Sequence, residues 1–471
     1  MSRVLPVAQE LEEFWSHEKE TAWYRAHPIF KETEPSHVIP LRIFGDGAES
    51  QRKQKFELIS LVLPLATSSA TMDTRIMLSC MSATYCNEDS RKKILEAICW
   101  SFQALCDGRF PTHDPWGKEF TKNYNKDRWK LGGQKIAGPF KGCLEGIQGD
   151  QDYVRAMMTP ARFFSKQMCC YYCRALSWVY TSSNPQDVEL LYTNFGEHAA
   201  HRNTLVSLEE WLDISTVSPI CSIPGWSPWR ILPDQMHLVH LTIAPDSIVS
   251  CLLDWTDSYK YVAGSTRNER LTELWENYRS YCEENGIGDR AQRKLFSVQT
   301  LTPDAPGFVE ISQKKLNATA ARYMIFWLAN VAKSFALVHG ADDDMYRAGV
   351  ACGLAEMETV CLEGSRRFSE QEWKQLEEGY LCYRAAYDKL ANLAISSCLP
   401  RWHIRPKCHY LEHAVYDFNR KNLRYMSNYL DEDMIRRIKR MACAANPRCV
   451  SKHVLYRYCV AATLKWSGMI Q

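Results

Sequence analysis

The sequence predicts a mixed α/β chain: a β-β-β-α-β-α core interrupted by a large all-α insertion. Three observations carry this expectation. Residues 38–80 hold three strand-like runs, "HVIPLRIF", "FELISLVLPLA" and "TRIMLSCMSA", parted by polar or glycine-containing breaks. Residues 235–400 lose that signal and instead repeat apolar positions at helical spacing, as in "RLTELWENYRSYCEEN" and "ARYMIFWLANVAKSFALV". No internal repeat, low-complexity tract or long Pro/Gly/Ser linker separates the two regions, which favours an insertion over domains strung in series.

In chain order, the short breaks between the first three runs predict an antiparallel meander. "DSRKKILEAICWSFQALCDG" then sets Leu95, Ile98, Phe102 and Leu105 on one helical face, with Asp89 or Ser90 as start and Gly108 as stop. "PFKGCLEGIQGDQDYVRAMM" reads as a fourth strand ending near Gly149-Asp150 and a helix after it. Beyond the helical block, which includes "QEWKQLEEGYLCYRAAYDKLANLAI", the segment "NYLDEDMIRRIKRMA" opens a late helix with Met434, Ile438 and Met441 as its apolar stripe. The expected division is a helical N-terminal extension at 1–37, the first part of the core at 38–234, the all-helical insertion at 235–400 and the C-terminal part of the core at 401–471.

Composition narrows the class. Among 471 residues, 46% are hydrophobic and 24% charged, the balance of a globular chain and not of a disordered one. A net charge of +2 makes no overall electrostatic case for nucleic acid. Two local segments are basic, "KNYNKDRWKLGGQK" at 122–135 and "RRIKR" at 436–440, and each also reads as a solvated face. The opening "MSRVLPVAQELEEFWSHEKE" lacks the apolar run of a secretory signal, and no window approaches eighteen apolar residues, so an intracellular chain without a membrane span is expected. The nineteen cysteines, an odd number, are expected as buried thiols or metal ligands and not as a disulfide framework.

Two constellations are candidates for chemistry. Asp46 in "RIFGDGAES" and Asp150 in "GIQGDQDYV" both stand at strand ends beside glycine, positions that suit either a turn or a metal. Asp431, Glu432 and Asp433 open the late helix, where acids complement the helix dipole. Packed against the meander, Glu432 would approach Asp46 and Asp150, and three such carboxylates hold the two divalent ions of phosphoryl-transfer chemistry. The second constellation is Cys170-x2-Cys173, about twenty residues after Asp150, with His409-x3-His413, about twenty before Glu432. Together they offer a Cys2His2 set suited to tetrahedral, structural Zn2+. The same histidines with Glu412 spell the H-x-x-E-H of inverted zinc proteases, but only 58 residues follow His413 and they hold no obvious distant glutamate ligand. Glu412 is instead expected to face solvent or to support the metal shell.

From about residue 38 to 455, the order of GDG acid, fourth-strand acid, Cys-x2-Cys, helical insertion, His-x3-His and glutamate at a helix start resembles the catalytic core of DDE transposases. The likeness is to the CACTA (En/Spm-like) group and its Transib and V(D)J recombinase relatives. "RPKCHYLEH" is similar to that group's P-K-x-H-x-x-x-H, and "LDEDMIRRIKRMACAANPRCVSK" resembles the segment around its last acid. The resemblance implies an RNase H-like core of order β-β-β-α-β-α-β-α, with the helical insertion between the final core strand and the catalytic helix. It implies Asp46, Asp150 and Glu432 as a catalytic triad for Mg2+ or Mn2+, and Cys170, Cys173, His409 and His413 as a structural Zn2+ set. Asp234 in the D-x-x-H of "LPDQMHLVHL" competes with Asp150 as second acid, or starts the first insertion helix; Asp431 or Asp433 stands as an alternative to Glu432. Arg405, Lys407, Arg436 and Lys439 are the expected phosphate contacts, and Trp226 and Trp229 in "GWSPWR" either stack on a flipped base or pack in the core. Double-stranded DNA, a second copy of the chain in a dimer and a separate DNA-recognition protein are the implied partners, with nuclear residence and no membrane. The alternative is a domesticated or decayed core that keeps fold and zinc and serves as a non-catalytic DNA-binding or assembly protein.

Overall fold

The computed structural model describes the chain except residues 1–4, 50–54, 67, 69, 181–183, 185, 214–216, 303–306 and 470–471. Of the expected N-terminal extension, residues 1–4 therefore lie outside the described residues. The longer elements are α1 (Ala8–Ser16), β1 (Val38–Glu49), β2 (Lys55–Val62), β3 (Arg75–Ser82), α2 (Glu88–Asp107), β4 (Lys141–Gln148), α3 (Gln151–Met158), α4 (Ala244–Asp257), α5 (Arg267–Glu284), α6 (Ala318–His339), α7 (Asp342–Glu363), α8 (Glu370–Ser396), α9 (Pro406–Tyr416), α10 (Tyr429–Cys443) and α11 (Val450–Trp466). The fold is mixed α/β and forms two compact units. The first comprises Met1–Ala161, Val206–Leu232 and Asn428–Gln471; the second comprises Arg162–Leu205 and Pro233–Ser427.

The first unit is built on a four-stranded mixed sheet of order β3-β2-β1-β4. β1 pairs antiparallel with β2 and β2 antiparallel with β3, so the meander forms as expected, while β4 joins β1 in parallel. As the inner strand covered on both faces, β1 is a nearly continuous buried run. It also buries Arg42, which is neutralised by Glu145 of β4. One face of the sheet packs Phe44, Phe56, Leu58 and Met77 against Met434, Ile435 and Ile438 of α10 and Val454 and Tyr458 of α11. The Tyr458 hydroxyl accepts the Met77 N–H at 3.1 Å and donates to the Arg75 carbonyl at 3.2 Å, occupying part of the exposed edge of β3.

α2 ends at Gly108, whose φ of 68° is the left-handed cap expected there. Its start falls slightly earlier than Asp89 or Ser90: the Asn87 side chain accepts the Ser90 N–H in a capping box. The N-terminal extension docks through Trp15, whose indole donates to the Val38 carbonyl at 2.8 Å beside Ile29 and Cys143. Beyond β4, a further core strand is reduced to one parallel bridge between Ile147 and Ile231, with the Leu232 N–H on the Ile147 carbonyl at 2.8 Å. Pro228 and Pro233 bracket this stretch, and residues without an N–H cannot extend a ladder.

The second unit is helical, as the periodicity of residues 235–400 predicts. Its core stacks Trp255, Tyr278, Phe296 and Trp327 edge to face or in parallel, with centroids 5.2–6.5 Å apart. α7 and α8 meet so closely at Gly353 that a Cβ there would stand 2.6 Å from the Gly379 carbonyl oxygen. A π-helical segment, Met236–Ile243, leads into α4. Among the described residues, Met236–Asp257 is the one helical stretch long and apolar enough to cross a membrane by composition, and it is largely buried inside this unit.

Candidate metal centres

Asp46 does not end its strand as expected: β1 runs on to Glu49 and Asp46 pairs with Leu58 of β2, whereas Asp150 lies just past the end of β4, the parallel neighbour of β1. The β1–β4 register pairs Phe44 with Gln148, which leaves Asp46 and Asp150 each two residues further along. Both line one surface cleft, which also takes Glu49, Lys55, Asp152 and Tyr153. Each acid holds a local backbone donor: Asp46 Oδ1 accepts the Gly47 N–H at 2.6 Å, and Asp150 Oδ1 accepts the Tyr153 N–H at 2.6 Å as the N-cap of α3. The preceding glycines make this approach possible. A Cβ on Gly45 would lie 2.0 Å from Tyr153 Cε1, and one on Gly149 would lie 2.7 Å from the Gly45 carbonyl oxygen.

The three acids of α10 have separate environments. Asp431 is buried and takes two hydrogen bonds from Arg75, at 3.0 and 3.2 Å. Asp433 accepts from Thr71 at 2.6 Å and from Arg436 and Arg437 at 2.5 and 2.7 Å. Burial acts to raise its carboxyl, but the bonds from Arg437, Thr71 and Arg436 outweigh it and hold the group below the usual carboxylate range. These bonds argue against either acid replacing Glu432. Glu432 is half-buried in the first turn of α10, on the helix that packs against Phe44, but it does not line the Asp46–Asp150 cleft.

In the second unit, Cys170, Cys173, His409 and His413 converge, all buried, with their ligand atoms within 4.8 Å of one another; the group can hold a metal ion. His409 Nε2 is 3.2 Å from Cys173 Sγ and 3.1 Å from His413 Nε2. The two histidines come from adjacent turns of α9, which places both imidazoles on one face. The cysteines come from a turn whose Tyr172 and Ala175 N–H groups point at Cys170 Sγ (3.3 Å) and Cys173 Sγ (3.4 Å). Tyr410 ties that turn to α9, donating to the Cys169 carbonyl at 3.0 Å. The electrostatics favour a thiolate. Burial alone would raise the Cys173 thiol, yet Cys170 and the adjacent histidines draw it well below its ordinary value. Burial likewise opposes His413, but Cys173 and Asp417 lift it to about 9.

A further layer supports these donors. His413 Nδ1 lies 2.7 Å from Asp417 Oδ2, the carboxylate–histidine arrangement that fixes a ligand's tautomer. Glu412 is buried, so it does not face solvent; its Oε1 accepts the Gly196 N–H at 2.9 Å. Its Oε2 lies 3.5 Å from His201 Nε2 and 3.9 Å from His409 Nδ1, and His201, His409 and Glu412 themselves form a buried group with metal-ligand chemistry. Four buried donors including two sulfurs make a closed site, unlike the open position that a zinc protease needs.

The remaining sequence candidates fall elsewhere. Asp234 accepts the Met236 N–H at 3.0 Å and pairs with His237, so it starts the first insertion helix. Arg405 pairs with Asp246 at 2.7 Å and Glu310 at 3.1 Å, and Lys407 donates to Thr242 Oγ1 at 3.0 Å and the His237 carbonyl at 3.3 Å. Both therefore serve internal contacts rather than presenting their charge to a phosphate. Arg436 is exposed beside Asp433, and Lys439 is exposed. Trp226 is buried against Trp211 at 5.6 Å, a core role. Sequence reasoning missed Asp152, Glu49, Asp417 and His201, although Asp152 lies two residues beyond Asp150, Glu49 three beyond Asp46, Asp417 four beyond His413 and His201 three beyond His198. All nineteen cysteines are free thiols; eleven are buried as expected, but Cys382, Cys398, Cys449 and Cys459 are exposed.

No protein-family model matches the chain, and no curated protein matches it.

Proposed function

We propose that the chain is a DDE transposase-like core that cleaves duplex DNA and joins the new end to another strand by two-metal phosphoryl transfer, within an RNase H-like fold. The observation that carries this reading is the sharing of one cleft by Asp46, on β1, and Asp150, just past the adjacent parallel strand β4. The order of motifs along the chain supports it, with Cys170-x2-Cys173 after the second acid and His409-x3-His413 before Glu432.

Asp46 and Asp150 would hold Mg2+ or Mn2+, with Glu432 as third acid. Such ions activate an attacking oxygen and stabilise the leaving one. The residues' own part is orientation: the Gly47 and Tyr153 N–H groups fix one oxygen of each aspartate, and Lys55 offsets part of the charge of the surrounding acids. Water attacks the phosphodiester first and releases a 3′ hydroxyl. That hydroxyl then attacks a second phosphodiester in line, so one P–O bond forms as one breaks at each step, with no covalent protein intermediate. Two thiolates and two imidazoles fit structural Zn2+, which would pin the Cys170–Cys173 turn to α9. A dimer, a separate end-recognition protein and nuclear residence accompany this reading.

Nicking of supercoiled DNA with Mn2+ tests it. Asp46→Ala, Asp150→Asn and Glu432→Ala should each abolish nicking with the thermal transition preserved; Asn keeps the cap of α3, so loss in Asp150→Asn reports the charge. Retained nicking in any of the three removes that residue from the assignment. One rival is a non-catalytic DNA-binding or assembly protein. Salt-dependent DNA binding with no nicking under any divalent ion would decide for it.

A further inference from the structure

We propose that the lobe of residues 109–135, together with the start of α2, is a docking surface for the phosphate backbone of duplex DNA. The proposal rests on the DNA-processing reading above and names where the substrate would lie.

Charge is the first argument. The lobe carries seven Lys and Arg against three Asp and Glu, whereas the whole chain is only +2. The lobe is thus one of two basic segments, the other being residues 434–471 with eight Lys and Arg and no Asp or Glu. Lys118, Lys122, Lys126, Arg128, Lys130 and Lys135 are all exposed. Among the described residues, no ion pair engages Lys122, Lys126 or Lys130. Arg405 and Lys407 contrast with them, because Asp246, Glu310 and backbone groups hold those side chains inside the second unit.

Aromatic interleaving is the second argument. Lys93 lies over Trp116, Lys118 over Tyr124, Lys122 over Trp129 and Arg128 over Trp100, at 5.9, 3.7, 5.1 and 5.4 Å from the ring centroids. Trp116 and Trp129 nevertheless remain 59% and 42% exposed. Large aromatic rings left in water beside cations mark contact surfaces. Against a polyanion, the cations contact phosphates and the rings contact sugars.

Rigidity is the third. Asp114 is buried and holds the lobe through its Oδ1, which accepts the Trp116 and Lys118 N–H groups at 2.9 Å, and its Oδ2, which accepts the Tyr124 hydroxyl at 2.9 Å. The two ends close on each other: Phe110 N–H to the Gln134 carbonyl at 2.9 Å, and Gly133 N–H to the Phe110 carbonyl at 2.8 Å. The lobe has almost no apolar core of its own beyond Phe120, so its order serves presentation of its surface.

The test measures binding of full-length protein to a labelled random-sequence duplex across a salt series. The variant K122E/K126E/K130E should bind about tenfold or more weakly, and the slope of log K against log salt should flatten by about 0.9 for each phosphate that the variant no longer neutralises. The charge-matched control K294E/K314E/K333E, at exposed lysines of the second unit, should leave both values unchanged. Equal weakening in both variants overturns the proposal, because net charge alone would then explain it. Unaltered binding in the lobe variant also overturns it while leaving the catalytic reading intact. A wild-type protein that binds no DNA at any salt sinks both.

Discussion

Cys173→Ala is the sharpest perturbation of the Cys2His2 group, because its consequence can be sized from the donors. A closed structural zinc site is worth about 10–16 kcal/mol at neutral pH. Shared evenly among four donors, one thiolate carries about 2.5–4 kcal/mol, or about 70- to 900-fold in affinity. Cys173 should stand at or above that share, since its thiol is already drawn toward the thiolate and lies 3.2 Å from His409 Nε2. Asp417 acts one step removed, through His413 Nδ1 at 2.7 Å, so Asp417→Asn should weaken metal by only about 10- to 100-fold. Chelator competition on purified protein measures both, and elemental analysis gives the stoichiometry. With a metal in this group, binding would be folding energy, so EDTA should lower the Tm of the wild type sharply and that of Cys173→Ala much less. Wild-type protein without near-stoichiometric metal, or with the same Tm in EDTA, refutes the reasoning. An Asp417→Asn variant looser than Cys173→Ala would refute the ranking of the two positions.

Gly45→Ala should destabilise the first unit by about 1–3 kcal/mol and reduce Mn2+-dependent nicking, since the new methyl meets the buried Tyr153 ring; a variant with unchanged Tm and nicking would show that the ring moves aside freely. His27 offers a pH test. Burial, with Arg230 nearby, lowers its imidazole to about 4 although the Pro224 carbonyl pulls the other way, and its Nδ1 accepts the Ile29 N–H. A folded-state value below the ordinary 6.5 gives stability that is present above pH 6.5 and lost as pH falls toward about 4, by about 3 kcal/mol in all. Tm should therefore fall less between pH 7 and pH 4 in His27→Gln than in wild type, and identical slopes would count against the argument.

Much of the fold was legible because local pattern and tertiary structure agree. The three apolar runs of residues 38–80 form the meander, Gly108 ends α2, and the strand before Gly149-Asp150 pairs with β1. The Cys2His2 group was legible only as a whole: each half is weak alone in a chain of nineteen cysteines, and together, though 236 residues separate Cys173 from His409, they make up one donor set. His201 follows His198 by three residues, a spacing that the Cys2His2 pattern does not use; it lies on a short 3-10 turn, and the packing around α9 brings it to Glu412. Arg405 misled as a phosphate contact because its partner Asp246 is 159 residues away and Glu310 is 95 away, a pairing that no local pattern encodes. The adjacent acids of α10 were likewise beyond sequence. A helix turns about 100° per residue, so Asp431 and Asp433 reach different arginines.

Asp46, within β1, and Asp150, the cap of α3, share one local plan, and that plan explains why a backbone bond and the proposed metal role need not compete. In Gly45-Asp46 and Gly149-Asp150 alike, the glycine admits a neighbour too close for a Cβ, Tyr153 in one case and the Gly45 carbonyl in the other. The acid then takes an N–H from the chain just ahead of it. A backbone bond on one carboxylate oxygen removes rotational freedom that an ion would otherwise have to freeze, so that bond also aims the group. It follows that replacing either aspartate by asparagine preserves the backbone bond and removes only the charge, whereas replacing the glycine before it preserves the charge and spoils the aim. Parallel loss of nicking from both kinds of variant, with only the glycine variants losing stability, is the signature of acids that are oriented for chemistry and not merely for capping.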